Sequence, residues 1–213
     1  AVIEPGALHY MRGNITSEVK AGGLGGFAKK MVTSAFTSET VFRPTYRGTG
    51  EMWLEHSFGH YILAQINSET IVDKGMFYAS QDTITVSAAI QKHISAGMAG
   101  GEGWFQTKLS GQGWCVLTSP VPGNEIVKIQ LNNEKLSVDG NFAILRQGNI
   151  EFKVEKSSKS IIGSLRSGEG LFQTFSGTGE VWLAPTASIY DRLSRGTLDD
   201  FSNPNQKSSN TRT

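Results

Sequence analysis

Thr45-Tyr-Arg-Gly-Thr-Gly-Glu-Met-Trp-Leu54 returns almost letter for letter as Thr174-Phe-Ser-Gly-Thr-Gly-Glu-Val-Trp-Leu183. A looser copy, Lys108-Leu-Ser-Gly-Gln-Gly-Trp-Cys-Val-Leu117, lies between them. The second glycine of each falls at Gly50, Gly113 and Gly179, spacings of 63 and 66 residues. A near-constant period of this size marks one structural unit used three times. Alternation at period 2 reads the end of each copy as a strand with one buried face. Met52 and Leu54, Cys115 and Leu117, and Val181 and Leu183 fall on that face. Glu51 with Trp53, and Glu180 with Trp182, fall on the other, which we read as an outward seam between units. The middle copy departs, with Trp114 in place of the Glu and Val116 in place of the Trp.

The same spacing continues on either side of the motif. Gly6, Gly75 and Gly140, 69 and 65 residues apart, each sit between two strand-like segments, where glycine supplies a turn at positive φ. Alternating stretches such as 83–87 and 150–155 follow. Each unit then carries an insertion, at 22–32, 91–101 and 159–166. A strand at 40–46, 104–109 or 171–175 leads into Gly-x-Gly, which reads as a turn, and then into the motif's last strand. Segments 61–66 and 126–131 close the first two units, and 189–193 is their relative in the third. The pattern predicts a single all-β domain over 1–201, with units at about 1–66, 67–131 and 132–193. The polar segment 202–213 is expected to be a flexible tail. The opening Ala1-Val-Ile-Glu has neither an initiator Met nor a leader pattern, and we expect it to reflect trimming or processing. No strand leads into Val2, so residues 188–193 are expected to dock beside the first segment and close the ring of units.

Composition narrows the classes. The 213 residues are 38% apolar and 18% charged with 25 glycines, which suits a turn-rich globular chain. The formal net charge of +1 carries no basic excess that would advertise nucleic acid. One cysteine, Cys115, forms no intrachain disulfide, and a reducing, intracellular compartment fits. No apolar run approaches the roughly 20 residues of a membrane-spanning helix.

Three features together resemble the "altered inheritance of mitochondria, number twenty-four" family. They are Gly22-Gly-Leu-Gly-Gly-Phe-Ala-Lys-Lys30, the paired Gly-Thr-Gly-Glu-x-Trp-Leu strands, and the strand entries Gly101-Glu-Gly-Trp-Phe-Gln106 and Gly168-Glu-Gly-Leu-Phe-Gln173. The resemblance spans about residues 2–185. It implies an antiparallel β-sandwich of the double-stranded β-helix type, similar to the tryptophan RNA-binding attenuation protein. It implies a part in organelle organisation and a cytoplasmic or mitochondrial place. It also implies an opening strand before Val2, and it brings no catalytic residues.

The residues themselves offer little for catalysis. His56 and His60 are four apart, but in a turn rather than on a helix, so they read as surface histidines, not metal ligands. His9 and His93 are isolated. Cys115 falls on the core face and reads as a small hydrophobe rather than a nucleophile. The glycines at 22–26 lack the Gly-Lys-Ser/Thr ending of a phosphate loop. Their better functional reading is a protruding contact segment that presents Leu24, Phe27 and Met31 beside Lys29 and Lys30, with a hairpin packed on its own sheet as the plain alternative. Its expected occupant is a protein partner, a second copy of the chain, or a membrane surface touched peripherally. Neither cofactor nor metal is expected, and we read the chain as an interaction or scaffolding protein rather than an enzyme. Two alternatives stand beside this: an RNA-binding module, disfavoured by charge, and a small-ligand barrel, disfavoured by the lack of clustered ligands.

Overall fold

The computed structural model describes residues 1–19, 43–56, 59–90, 105–156 and 171–195. Within them the chain is almost wholly strand, in two six-stranded sheets. The first sheet runs β2 (Leu8–Val19), β3 (Pro44–Leu54), β1 (Val2–Ile3), β6 (Phe77–Ser80), β9 (Gly113–Ser119), β4 (His60–Ile66). The second runs β10 (Val127–Asp139), β12 (Leu171–Leu183), β11 (Ala143–Lys156), β5 (Thr70–Val72), β8 (Phe105–Gly111), β7 (Ile84–Ile90). Every pairing is antiparallel, as the alternation predicts.

One core fills the space between the sheets. Ile62, Ala64, Ile66, Phe77, Cys115 and Leu117 from the first sheet meet Val72, Ile84, Leu109, Leu145 and Trp182 from the second. A second core lies on the other side of β10–β12, where Val181, Leu183, Leu131 and Val138 pack with Phe152 and Phe175. These two rings are tilted, with centroids 5.2 Å apart. Cys115, Leu117 and Val181 are fully buried and Leu183 nearly so, whereas Met52 and Leu54 are only half-buried. Equal burial of all six is therefore corrected. β9 and β12 each have a strand on both edges, while β3 beyond Tyr46 pairs only with β2 among the described residues.

The outward reading of Trp182 is corrected as well. Trp53 stands 57% exposed, but Trp182 is 7% exposed and belongs to the inter-sheet core. Alternation fixes which residues share a face, not which face is covered. Lys128, its cross-strand partner, lies over the indole at 4.0 Å, and Trp182 Nε1 donates to Glu180 Oε1.

Gly-x-Gly is a bend, not a turn. β3 and β12 run unbroken through it, and the cross-strand partners Gly13 and Gly148 face Gly50 and Gly179. The strands approach so closely that a Cβ at Gly177, where φ is +134°, would sit 2.2 Å from Asn149 O. In the middle copy the chain changes sheet there, β8 lying in the second and β9 in the first. One register recurs beside each bend. Leu8↔Leu54, Phe77↔Leu117 and Ala143↔Leu183 are each followed by a one-residue bulge and then by Tyr10↔Trp53, Ala79↔Val116 and Leu145↔Trp182.

The expected closing strand is absent. Residues 187–195 form a helix, α1 (Ala187–Arg195), and β1 pairs with β3 and β6 instead. Ala187 and Tyr190, three apart, pack on the inter-sheet core. Thr186 Oγ1 and Tyr190 Oη donate to the two oxygens of Glu125 at 2.5 and 2.6 Å. The insertions at 22–32, 91–101 and 159–166 and the tail at 202–213 lie outside the described residues.

Candidate interaction face

Leu24, Phe27, Lys29, Lys30 and Met31, the contact residues expected from the sequence, all lie outside the described residues. The described surface carries a different apolar face. Of nine large apolar side chains exposed among the described residues, six belong to the first sheet and five, all but Met11, share one face of it, so this face is not an even scatter.

Its first half is built on β2 and β3. The Tyr10↔Trp53 pairing stacks the two rings, with centroids 5.7 Å apart and planes 15° from parallel. His9, at the bulge, meets Tyr10 edge-on at 5.8 Å and His56 at 6.2 Å. An exposed Arg12–Glu51 ion pair at 3.1 Å borders the rings on the same face, whereas Met11, which pairs with Met52, points to the opposite side of the strand. The second half lies on β4, β6 and β9, where Leu63 and Trp114 stand in solvent. Tyr61 and Tyr78 contact at 4.8 Å, and both hydroxyls donate to Glu55 O, which joins the two halves. Burial, then the Tyr61 hydroxyl, push Tyr78 up to about 12, so it stays a neutral donor at physiological pH. Beside Trp53, the edge of β3 from Gly48 to Leu54 has no ladder partner among the described residues, so none of these pairs with its outward N–H and C=O groups. The sequence signal for this face was the outward Trp53; Tyr10 was hidden because a bulge shifts the alternation of β2.

Cys115 is buried, and burial pushes its thiol up to about 12, which leaves it an inert core group, as its alternation predicts. His60 packs edge-on against Tyr190 at 5.3 Å, apart from His56. No three His, Cys, Asp or Glu among the described residues are placed to hold a metal ion. No helix among them is long and apolar enough to cross a membrane.

A second feature, invisible in the sequence, is a polar chain under the second sheet. Arg146 Nη1 donates to Gln106 Oε1 at 2.9 Å, and Gln106 Nε2 donates to Asp73 Oδ1 at 2.9 Å. Burial pushes Asp73 up to about 6, against the Gln106 hydrogen bond and the Arg146 charge, which pull it down. Burial likewise lowers Arg146 to about 10, which leaves it cationic at neutral pH.

The family described as mitochondrial biogenesis AIM24 matches residues 1–186. No curated protein matches the chain. Among solved structures, the crystal structure of a protein from Streptococcus pyogenes is similar at 20% identity and a TM-score of 0.62. The match covers 91% of this chain and 88% of that one, and at this identity it speaks for the fold alone.

Proposed function

The chain belongs to the mitochondrial biogenesis AIM24 family, and on that premise we propose that it is a non-enzymatic scaffolding module that works by self-association. The observation that carries this reading is the exposed aromatic face of the first sheet, adjoining an open strand edge on β3. A second copy supplies what both features lack. Antiparallel pairing of Gly50–Leu54 with the same segment of another molecule satisfies the open backbone groups. It also brings Trp53 of each copy within diagonal reach of the other across the new seam, with Tyr10 stacked behind each, and large rigid rings of this kind anchor interfaces at low entropic cost. The pairing sets Glu51 opposite Trp53 of the mate, within reach of the indole N–H.

The intracellular, mitochondrial-type place suggested by the family name belongs to this proposal. So does a contribution from Leu24, Phe27, Lys29, Lys30 and Met31 to a protein or membrane contact. Sedimentation velocity across a concentration series tests the self-association. Wild type should move from monomer to dimer, and the Tyr10→Ser/Trp53→Ser double variant should stay monomeric with its Tm nearly unchanged. A wild type that stays monomeric up to about 100 μM would refute the reading.

A further inference from the structure

The outer side of the second sheet holds a cleft of about 320 Å³, lined by Glu69, Ile71, Ala89, Lys108, Arg146 and Ile150 among others. Its volume is near the lower end for small-molecule sites, about 300 Å³. Arg146 is 92% buried, the complement of its 8% exposure, yet it borders this open space. A guanidinium carries five N–H donors, and among the described residues the Arg146 side chain makes one hydrogen bond, to Gln106. The only sealed side-chain polar atom without a partner among those residues is Ser80 Oγ. The remaining Arg146 donors are therefore not sealed, and the open space they border is the cleft.

Register places a second cation on the same row. Ile71 pairs with Arg146 on one side and Lys108 on the other, so the two cations flank Ile71 on one face of three adjacent strands. Their Cα atoms are about 10 Å apart, two strand spacings. Glu69 holds the Lys108 ammonium at the rim, and its own carbonyl accepts from Gly148 N–H at 3.0 Å. Ile71, Ile150 and Ala89 form the smaller, apolar part of a lining that is mainly polar.

From this geometry we propose that the cleft binds a small organic monocarboxylate, with its carboxylate on Arg146 and its aliphatic tail over Ile71 and Ile150. The free fork of a guanidinium matches a planar carboxylate in two parallel hydrogen bonds. Two carboxyl groups, Glu69 and Asp73, already balance the two cations, so a dianion such as phosphate meets more repulsion than a monoanion does. The small apolar part of the lining favours a carboxylate that carries an aliphatic tail over a bare anion. Glu69 is half-exposed and leaves Lys108 at little cost, since exposed ion pairs are weak.

Methyl NMR of the full chain, titrated separately with hexanoate and with inorganic phosphate, tests the assignment. Hexanoate should shift the Ile71 and Ile150 methyls saturably, and phosphate should not. Glu69→Gln should tighten hexanoate binding several-fold by releasing Lys108. Ala89→Leu should block the tail, and Arg146→Lys should weaken binding at least tenfold by removing the fork. The first two variants leave Arg146 in place and keep the test sound if Arg146→Lys folds poorly. Two results overturn the proposal: unmoved methyls in wild type and Glu69→Gln at about 20 mM hexanoate, or phosphate and hexanoate giving equal shifts.

Discussion

Depth of burial sets how much a single side chain contributes here. Leu117 is fully buried between the sheets, whereas Leu54, its counterpart on β3, is only half-buried. Leu117→Ala should cost about 2–5 kcal/mol and Leu54→Ala about half of that. Equal losses in urea unfolding would show that β3 is covered as fully as β9. Asp73 supplies a test with the opposite sign. Its carboxyl sits at about 6 in the fold, above its ordinary 3.8, because burial favours the neutral form. The folded chain therefore binds this proton more tightly than the unfolded chain does. The stability it contributes is complete below pH 3.8 and lost as pH rises through 6. Asp73→Asn mimics the neutral form and keeps an acceptor for Gln106. It should match wild type near pH 4 and exceed it by about 2 kcal/mol at pH 7.5. A gap of the same size at both pH values would rule out a desolvated carboxylate.

Elements differed in how openly the sequence declared them. The strands were legible because alternation and the recurring motif agree, and the register repeats beside Gly50, Gly113 and Gly179. The bends were not, since glycine at positive φ serves a turn and a close strand crossing alike. The sign of the exposed face failed at Trp182 for another reason. A period-2 pattern cannot say which side a second layer covers, and here both sides of β12 are covered. Helix α1 was masked by analogy with the earlier units. Its own signals were present, with Pro185 and Thr186 ahead of Ala187 and Tyr190 at helical spacing. Arg146 and its cleft had no local signal, because Glu69, Asp73, Gln106 and Lys108 reach it from separate strands and turns. The docking of α1 can be checked through Glu125. Hydrogen bonds from Thr186 and then Tyr190 hold its carboxyl below the usual range. The stability they contribute is present above that range and lost as pH falls through the lowered value. In NMR titration, Thr186→Val or Tyr190→Phe should move the Glu125 midpoint upward. An unchanged midpoint in both variants would mean that the helix is not tied down there.

At the scale of the whole molecule, the three motif strands are treated unequally. β9 lies between β6 and β4, and β12 lies between β11 and β10. Along Gly48–Leu54, β3 has β2 on one side and, among the described residues, no strand on the other. The helix that follows β12 packs near Glu125 and His60 and does not reach that edge. The aromatic pair Tyr10–Trp53 stands beside this gap, so the most apolar exposed face and the open ladder coincide. The account holds that a second copy fills the place. Amide hydrogen exchange along Gly50–Leu54, measured at protein concentrations well below and well above the dimerisation midpoint, reads that edge itself. The outward-facing amides of β3 should gain protection as concentration rises, while the inner strand β9 stays unchanged. Exchange on β3 that is fast and independent of concentration, in samples that sediment as dimers, would place the contact elsewhere and contradict the account.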